Sequence, residues 1–308
     1  MLTSLKRLLA SIVDYAGLFP PAQLSLPEAM HSYDRAHSSP HSWMLDRFVL
    51  PATRLPEFVK LLPILTEEMC EEIPSSQPWS LSVILSKNWL AELEQIHRIT
   101  KAELHCKDSI RISALEVAPL SPVEIQQGYL DLPAEVDTFF EIPFDADLEP
   151  HLNILQQIGA GAKLRTGGIT GDAFPDSTQL GQRILSFANA RIPFKATAGL
   201  HHPLRGHSFT HALDKTSTTR VSTTMHGFLN VAIASAFAYH HAITPNEAAA
   251  ILEEPSIDPF QFSEAEVRWH HHSLSLREIE HSRSQFFRSF GSCSFQEPIN
   301  DLYDLRFL

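Results

Sequence analysis

The sequence predicts an α/β chain folded as one (β/α)8 barrel of the TIM type, with a helical insertion between strands seven and eight. Three observations lead there. Short runs rich in Val, Ile and Phe alternate with longer amphipathic stretches almost from end to end. Eight such runs occur, the number that closes a parallel barrel. The 308 residues suit one barrel domain, and 44% hydrophobic against 19% charged residues supply a large core.

Taken in order, the expected strands are 11–17, 46–52, 79–86, 112–118, 137–144, 162–166, 193–199 and 286–294. Between them run helical patterns. Trp89, Leu93 and Ile96 share one face over 88–99, Leu148, Leu152 and Leu155 over 146–158, and Leu180, Ile184 and Ala188 over 177–190. Asp145 and Asp176 stand where helix caps are expected. An open doubly wound sheet is the runner-up, but "DYAGLFPPA" (14–22) is no G-x-G-x-x-G phosphate turn. The interval before the last strand is too long for a plain loop. Over 205–285 it predicts an insertion with helices near 225–241, 244–254, 263–272 and 275–285, placed either as a cap on the barrel mouth or as an outer layer. "HHH" (270–272) then lies on a polar helix as a solvated face.

Composition excludes some functions. With 24 Lys and Arg against 36 Asp and Glu, the net charge is −12, which argues against a nucleic-acid partner. Cys70, Cys106 and Cys293 are odd in number and widely spaced, so neither a disulfide framework nor a zinc knuckle is expected. The N-terminus faintly resembles a signal peptide, but its apolar run is short and is soon broken by Asp14. The apolar stretch 228–239 falls short of the ~20 residues that cross a bilayer. A soluble, cytoplasmic chain without a membrane partner is the expectation, and homo-oligomerisation stays open.

Active sites of such barrels lie at the C-terminal ends of the strands. The polar residues expected there are Asp14, Arg47, Ser86, Glu116, Glu141, Lys163, Arg165, Lys195, Thr197, His201, His202, Ser292, Cys293 and Ser294. Alternation puts Lys163 with Arg165 on one face, and Lys195 with Thr197, while Leu164 and Phe194 point into the helix layer. Both lysines therefore point into the barrel. Buried cations need carboxylates, and Glu116, Glu141 and Asp14 are the available partners. A desolvated lysine beside another cation becomes a nucleophile towards carbonyls. A buried ion-pair network that only fixes the barrel is the structural alternative.

These residues carry a resemblance. "KLRTG" (163–167) resembles the K-T-S-T-G strand of the deoxyribose-phosphate aldolase family, and "FKATAG" (194–199) its F-K-P-A-G-G strand. "SFGSCS" (289–294) is similar to that family's phosphate-binding end, and "IVDYAGLFPP" (12–21) to its opening. The resemblance implies Lys163 as the imine lysine, Lys195 as its activating neighbour, and Gly199 with Ser292 as part of a phosphate site. The chain departs from the pattern at Arg165 and Ala198, where small residues and a glycine are usual, and Glu116 only stands in for the strand-four aspartate. The whole chain also resembles a bacterial family marked by "DYAGLFPPA", "FKATAGLHHPLR" (194–205), "HGFLNV" (226–231) and "GSCSFQEPINDL" (291–302), a likeness that implies no reaction.

The expectation is a class I, Schiff-base lysine, aldolase-like lyase acting on a small, optionally phosphorylated carbonyl compound, without a cofactor. Lys163, Lys195, Arg165, Glu116, Glu141, His201 and Asp14 would carry the chemistry. Gly167, Gly168, Thr197, Gly199, Ser292, Cys293 and Ser294 would hold the substrate or its phosphate. Two alternatives remain. One is a metal-dependent hydrolase or lyase with Zn²⁺ or another divalent ion on His201, His202 or His226 and a glutamate. The other is a non-catalytic barrel binding an acidic metabolite. Cys293 is also a candidate nucleophile, and Glu297 and Asp301 are read as surface charge.

Overall fold

The structure, a computed structural model, describes residues 1–68, 78–102, 110–168, 170–211 and 220–308. Cys70, Cys106 and part of the polar segment after strand seven lie outside these residues. The first seven barrel strands are β1 (Val13–Tyr15), β2 (Leu45–Pro51), β3 (Trp79–Leu85), β4 (Ile110–Val117), β5 (Asp137–Glu141), β6 (Gly161–Arg165) and β7 (Phe194–Thr197). An antiparallel hairpin comes next, β8 (Gly206–His211) and β9 (Arg220–Met225), then a small sheet of β10 (Phe260–Phe262), β11 (Glu266–Trp269) and β12 (His272–Ser275). The eighth barrel strand is β13 (Phe287–Ser292). It pairs in parallel with both β7 and β1, which closes the barrel as the sequence predicts.

The helices alternate with the strands. α1 (Thr3–Leu9), α2 (Leu26–His37), α3 (Leu55–Glu68), α4 (Trp89–Ala102), α5 (Pro122–Gly128), α6 (Leu148–Ile158) and α7 (Ser177–Asn189) precede the insertion. The insertion contains α8 (Phe228–Tyr239), α9 (Pro245–Glu253) and α10 (Leu276–Gln285), and α11 (Gln296–Asp304) ends the chain. The expected cap Asp176 accepts from the Gln179 N–H, and the Gln179 side chain accepts from the Asp176 N–H, so two otherwise unpaired end groups are satisfied. Asp145 is no cap: α6 begins behind Asp147.

The insertion is mixed rather than helical. The expected helix at 263–272 is instead the β11–β12 hairpin, with His270 at φ 51° in its turn and His272 on β12. Val267, Trp269 and Leu274 are buried and alternate with exposed neighbours, so a period of two overrides the helical reading. α8 is buried along its whole length and packs against α7, α9, α10 and β13. Its Phe228 ring stacks on Phe290 of β13 at 5.0 Å. Most of the insertion is therefore an outer layer. Among the described residues, the β8–β9 hairpin approaches the mouth, where β9 meets the turn Gly171–Ala173 that comes after β6. No helix among the described residues is long and apolar enough to cross a membrane.

Candidate active site

Strand registry positions the two lysines. Lys163 and Lys195 are direct partners across β6 and β7, and Glu141 of β5 is the partner of Lys163 on its other side. Leu164 and Phe194 are fully buried on the opposite face, so alternation turns both ammonium groups inward. Lys195 is buried to 1% exposure. Its Nζ contacts Asp14 of β1 and lies 2.5 Å from Glu116 Oε1 of β4. Lys163 Nζ lies 3.0 Å from the other oxygen of Glu116 and 3.2 Å from Glu141 Oε2. One carboxylate thus bridges both lysines.

Two serines complete the cluster. Ser82 Oγ donates to Glu116 Oε1 at 2.7 Å, and Ser289 Oγ to Asp14 Oδ2 at 2.6 Å. Neither was singled out from sequence; the signal was a small polar residue in an otherwise apolar strand. The Phe139 ring packs 5.9 Å from Lys195 Nζ and excludes water on that side.

Burial pulls the Lys195 ammonium down, but Asp14 and Glu116 outweigh it, and the lysine holds its proton above the usual range. Burial likewise opposes ionisation of Glu116. The charges of Lys195 and Lys163, with the bonds from Lys195 and Ser82, hold it well below the usual carboxylate range. Three carboxylates face two ammonium groups, so Lys195 works as a fixed counter-charge.

Arg165 is not buried as expected. Its side chain is 53% exposed at the rim and reaches Glu141 Oε1 only at 3.8 Å. Arg47 belongs elsewhere too. It bonds Ser113 Oγ at 3.0 Å and Asp137 Oδ2 at 2.9 Å, and Arg288 shares that carboxylate at 2.9 Å. Asp137 opens β5 where Glu141 ends it. This second polar layer therefore lies towards the strand starts, the end where this fold gains stability rather than chemistry, and meets the lysine cluster at Asp14, whose Oδ1 accepts from the Arg47 N–H at 3.2 Å. Ser86 is spent on Glu92 of α4, through its N–H and its hydroxyl.

The small residues at the rim join the loops. A Cβ on Gly199, at φ +75°, would lie 2.8 Å from Thr166 O and 2.9 Å from Gly167 Cα. Thr166 Oγ1 donates to Ala198 O at 2.5 Å, fastening the end of β6 to that of β7. Gly168 lies against Ala173 in the next turn. Thr197 is the register partner of Gly291. Ser292 Oγ donates to Ser294 O at 2.6 Å, and Ser294 Oγ accepts from the Glu297 N–H at 3.1 Å, so both hydroxyls serve their own turn and the start of α11.

The histidines are dispersed. His201 Nδ1 lies 3.3 Å from Glu297 Oε2, and His202 Nδ1 lies 2.7 Å from Asp301 Oδ2, so two residues read as surface charge anchor this loop to α11. His226 Nε2 donates to Pro175 O at 2.8 Å and its Nδ1 faces Arg205. These three histidines do not converge. Among the described residues, the group whose ligand atoms do, within 4.8 Å, is Glu247, His271 and His272 on the outer layer. An apolar gap lined by Leu8, Ile233, Phe237 and Leu274 is likewise remote from the lysines and presents no polar side chain. Comparison of the chain with family models, with curated proteins and with solved structures finds no match in any of the three.

Proposed function

We propose that this barrel is a class I lyase of the aldolase type, in which Lys163 forms an imine with a small carbonyl compound. The observation that carries this reading is the pair of register-matched lysines on one shared carboxylate. Structural ion-pair layers, such as that of Arg47, are found lower in this barrel, whereas this cluster sits nearer the C-terminal ends. Lys195 is enclosed on all sides. Lys163 adjoins Glu141, whose side chain is 15% exposed, and is the lysine a substrate can approach.

In this reading Glu141 takes the proton of Lys163, and the freed amine attacks the carbonyl carbon. Loss of water leaves an iminium that accepts the electron pair of the bond between the α and β carbons, which breaks to an enamine and a released carbonyl product. Lys195, held protonated by Asp14 and Glu116, keeps a fixed positive charge beside the amine. Ser292 donating its hydroxyl to Ser294 O, a phosphorylated substrate would rest on backbone N–H groups, the Ser294 hydroxyl and Arg165.

Borohydride trapping tests the reading. The protein is incubated with short aldehydes, ketones and sugar phosphates, reduced, and mapped by mass. An adduct on Lys163 that is absent from Lys163→Met supports it. Wild-type trapping no greater than that of the Lys163→Met, Lys195→Met double variant overturns it.

A further inference from the structure

Among the described residues, the reactive side chains away from the lysine cluster are mostly dispersed. Cys293 is a half-buried free thiol just past the end of β13, and His201 and His202 anchor their loop to α11. A convergent group lies instead on the outer layer, between the start of α9 and the turn of the β11–β12 hairpin. Trp269 and His272 are register partners, so His270 and His271 make up that turn. Successive strand residues point to opposite faces, but His271 stands in the turn, and its ring centroid lies 3.9 Å from that of His272. Glu247 approaches from α9 with its two oxygens divided. Oε2 accepts from the Thr244 N–H at 2.7 Å and from Thr244 Oγ1 at 2.8 Å, which closes the helix cap. Oε1 is turned to His272 and accepts from its Nε2–H at 2.8 Å. The His272 ring is set by its neighbours, within 9° of parallel to Trp269 at 5.9 Å and 5.8 Å from Phe237. Two of the three donors are thus oriented by groups behind them, which is how metal ligands are held in place.

We propose that Glu247, His271 and His272 form a Zn²⁺ site that clamps the β11–β12 hairpin to α9. Two imidazoles and one carboxylate are a donor set for zinc, with water in the fourth position of the tetrahedron. The edge of such a tetrahedron measures about 3.3 Å. His272 Nε2 and Glu247 Oε1, now at 2.8 Å, need part by only about half an ångström to admit the ion. The third donor is already within 4.8 Å of both, and the exposed His271 side chain closes from the solvent side. The ion replaces the proton that His272 Nε2 gives to Glu247, and that proton leaves to water. Mg²⁺ and Ca²⁺ prefer oxygen donors, so the two imidazoles select against them. The clamp joins parts that pack on different neighbours, α9 on α7 and α8, the hairpin on α1 and α10.

The site shares no residue with the lysine cluster and does not depend on the imine reading. Equilibrium dialysis of the untagged full chain against micromolar Zn²⁺, after stripping with EDTA, tests it. Other histidines also take up zinc, so the wild type is compared with two variants. His271→Ala is a change at an exposed turn, and Glu247→Gln keeps an oxygen for the cap of α9. The wild type is expected to hold one zinc per chain more than either variant. Zinc should also raise its urea midpoint more than theirs, because an ion bound by the folded chain stabilises it. Mg²⁺ in place of Zn²⁺ should do neither. Equal zinc contents in wild type and variants overturn the proposal. So does an extra zinc that leaves the wild-type midpoint no higher than zinc leaves those of the variants, or an equal response to Mg²⁺.

Discussion

Lys163 and Lys195 face each other across β6 and β7, and the two oxygens of Glu116 divide between them, at 3.0 Å and 2.5 Å. Two cations are thereby held beside each other, because a single carboxylate bonds both and Asp14 and Glu141 add a second carboxylate to each.

Removing one partner of such a cluster should cost more than the cluster itself contributes. Lys195→Met leaves Asp14 and Glu116 buried without their shared cation, and a loss of about 3–5 kcal/mol is expected. Lys163→Met, whose partner Glu141 reaches solvent, should cost clearly less. Urea unfolding of both variants checks the order, and equal losses would contradict it.

Acid should act through Glu116. Its folded-state affinity for protons is depressed, so its stabilisation is present above the unfolded value, about 4.3, and is lost as pH falls further. Thermal melts between pH 6 and pH 2 should show a shallower acid decline in Glu116→Gln than in the wild type.

Alkali should act through His201, with the opposite sign. Raised to about 9, it binds a proton in the folded chain that the unfolded chain releases near 6.5. Its contribution is complete below about 6.5 and is lost as pH rises through about 9. Replacing His201 by Gln should flatten the fall in stability across that window, as monitored by urea midpoints at each pH.

Two glycines with positive φ should respond differently to alanine. At Gly159, φ +68°, no atom lies within 4 Å of a new Cβ, so Gly159→Ala should cost only the conformational strain, about 1–2 kcal/mol. At Gly199 the Cβ would press on Thr166 O and Gly167 Cα, so Gly199→Ala should cost more and loosen the β6–β7 rim. Paired thermal melts check the difference.

The range of each interaction decides how far it is legible in a sequence. Lys163, Lys195, Glu116, Glu141 and Asp14 could be named because a charge inside an apolar strand stands out locally, and strand alternation assigns it a face. Ser82 and Ser289 passed unnoticed because a serine in a strand is unremarkable until its partner is known. Arg47 was assigned to the wrong end because its level depends on stagger between strands, which no single segment encodes. The outer sheet was taken for a helix because its apolar positions are too few to separate the two periods.

The sequence by itself determined the eight strands, the closed barrel and the inward face of both lysines, since these depend on hydrophobic period and connection length. Only the tertiary structure decided that one carboxylate joins the lysines, that Arg165 turns outward, and that His201 meets Glu297 of α11. Those relations link residues as far as 181 positions apart, as in the bond from Lys195 to Asp14, and arise from closure of the barrel rather than from any local propensity.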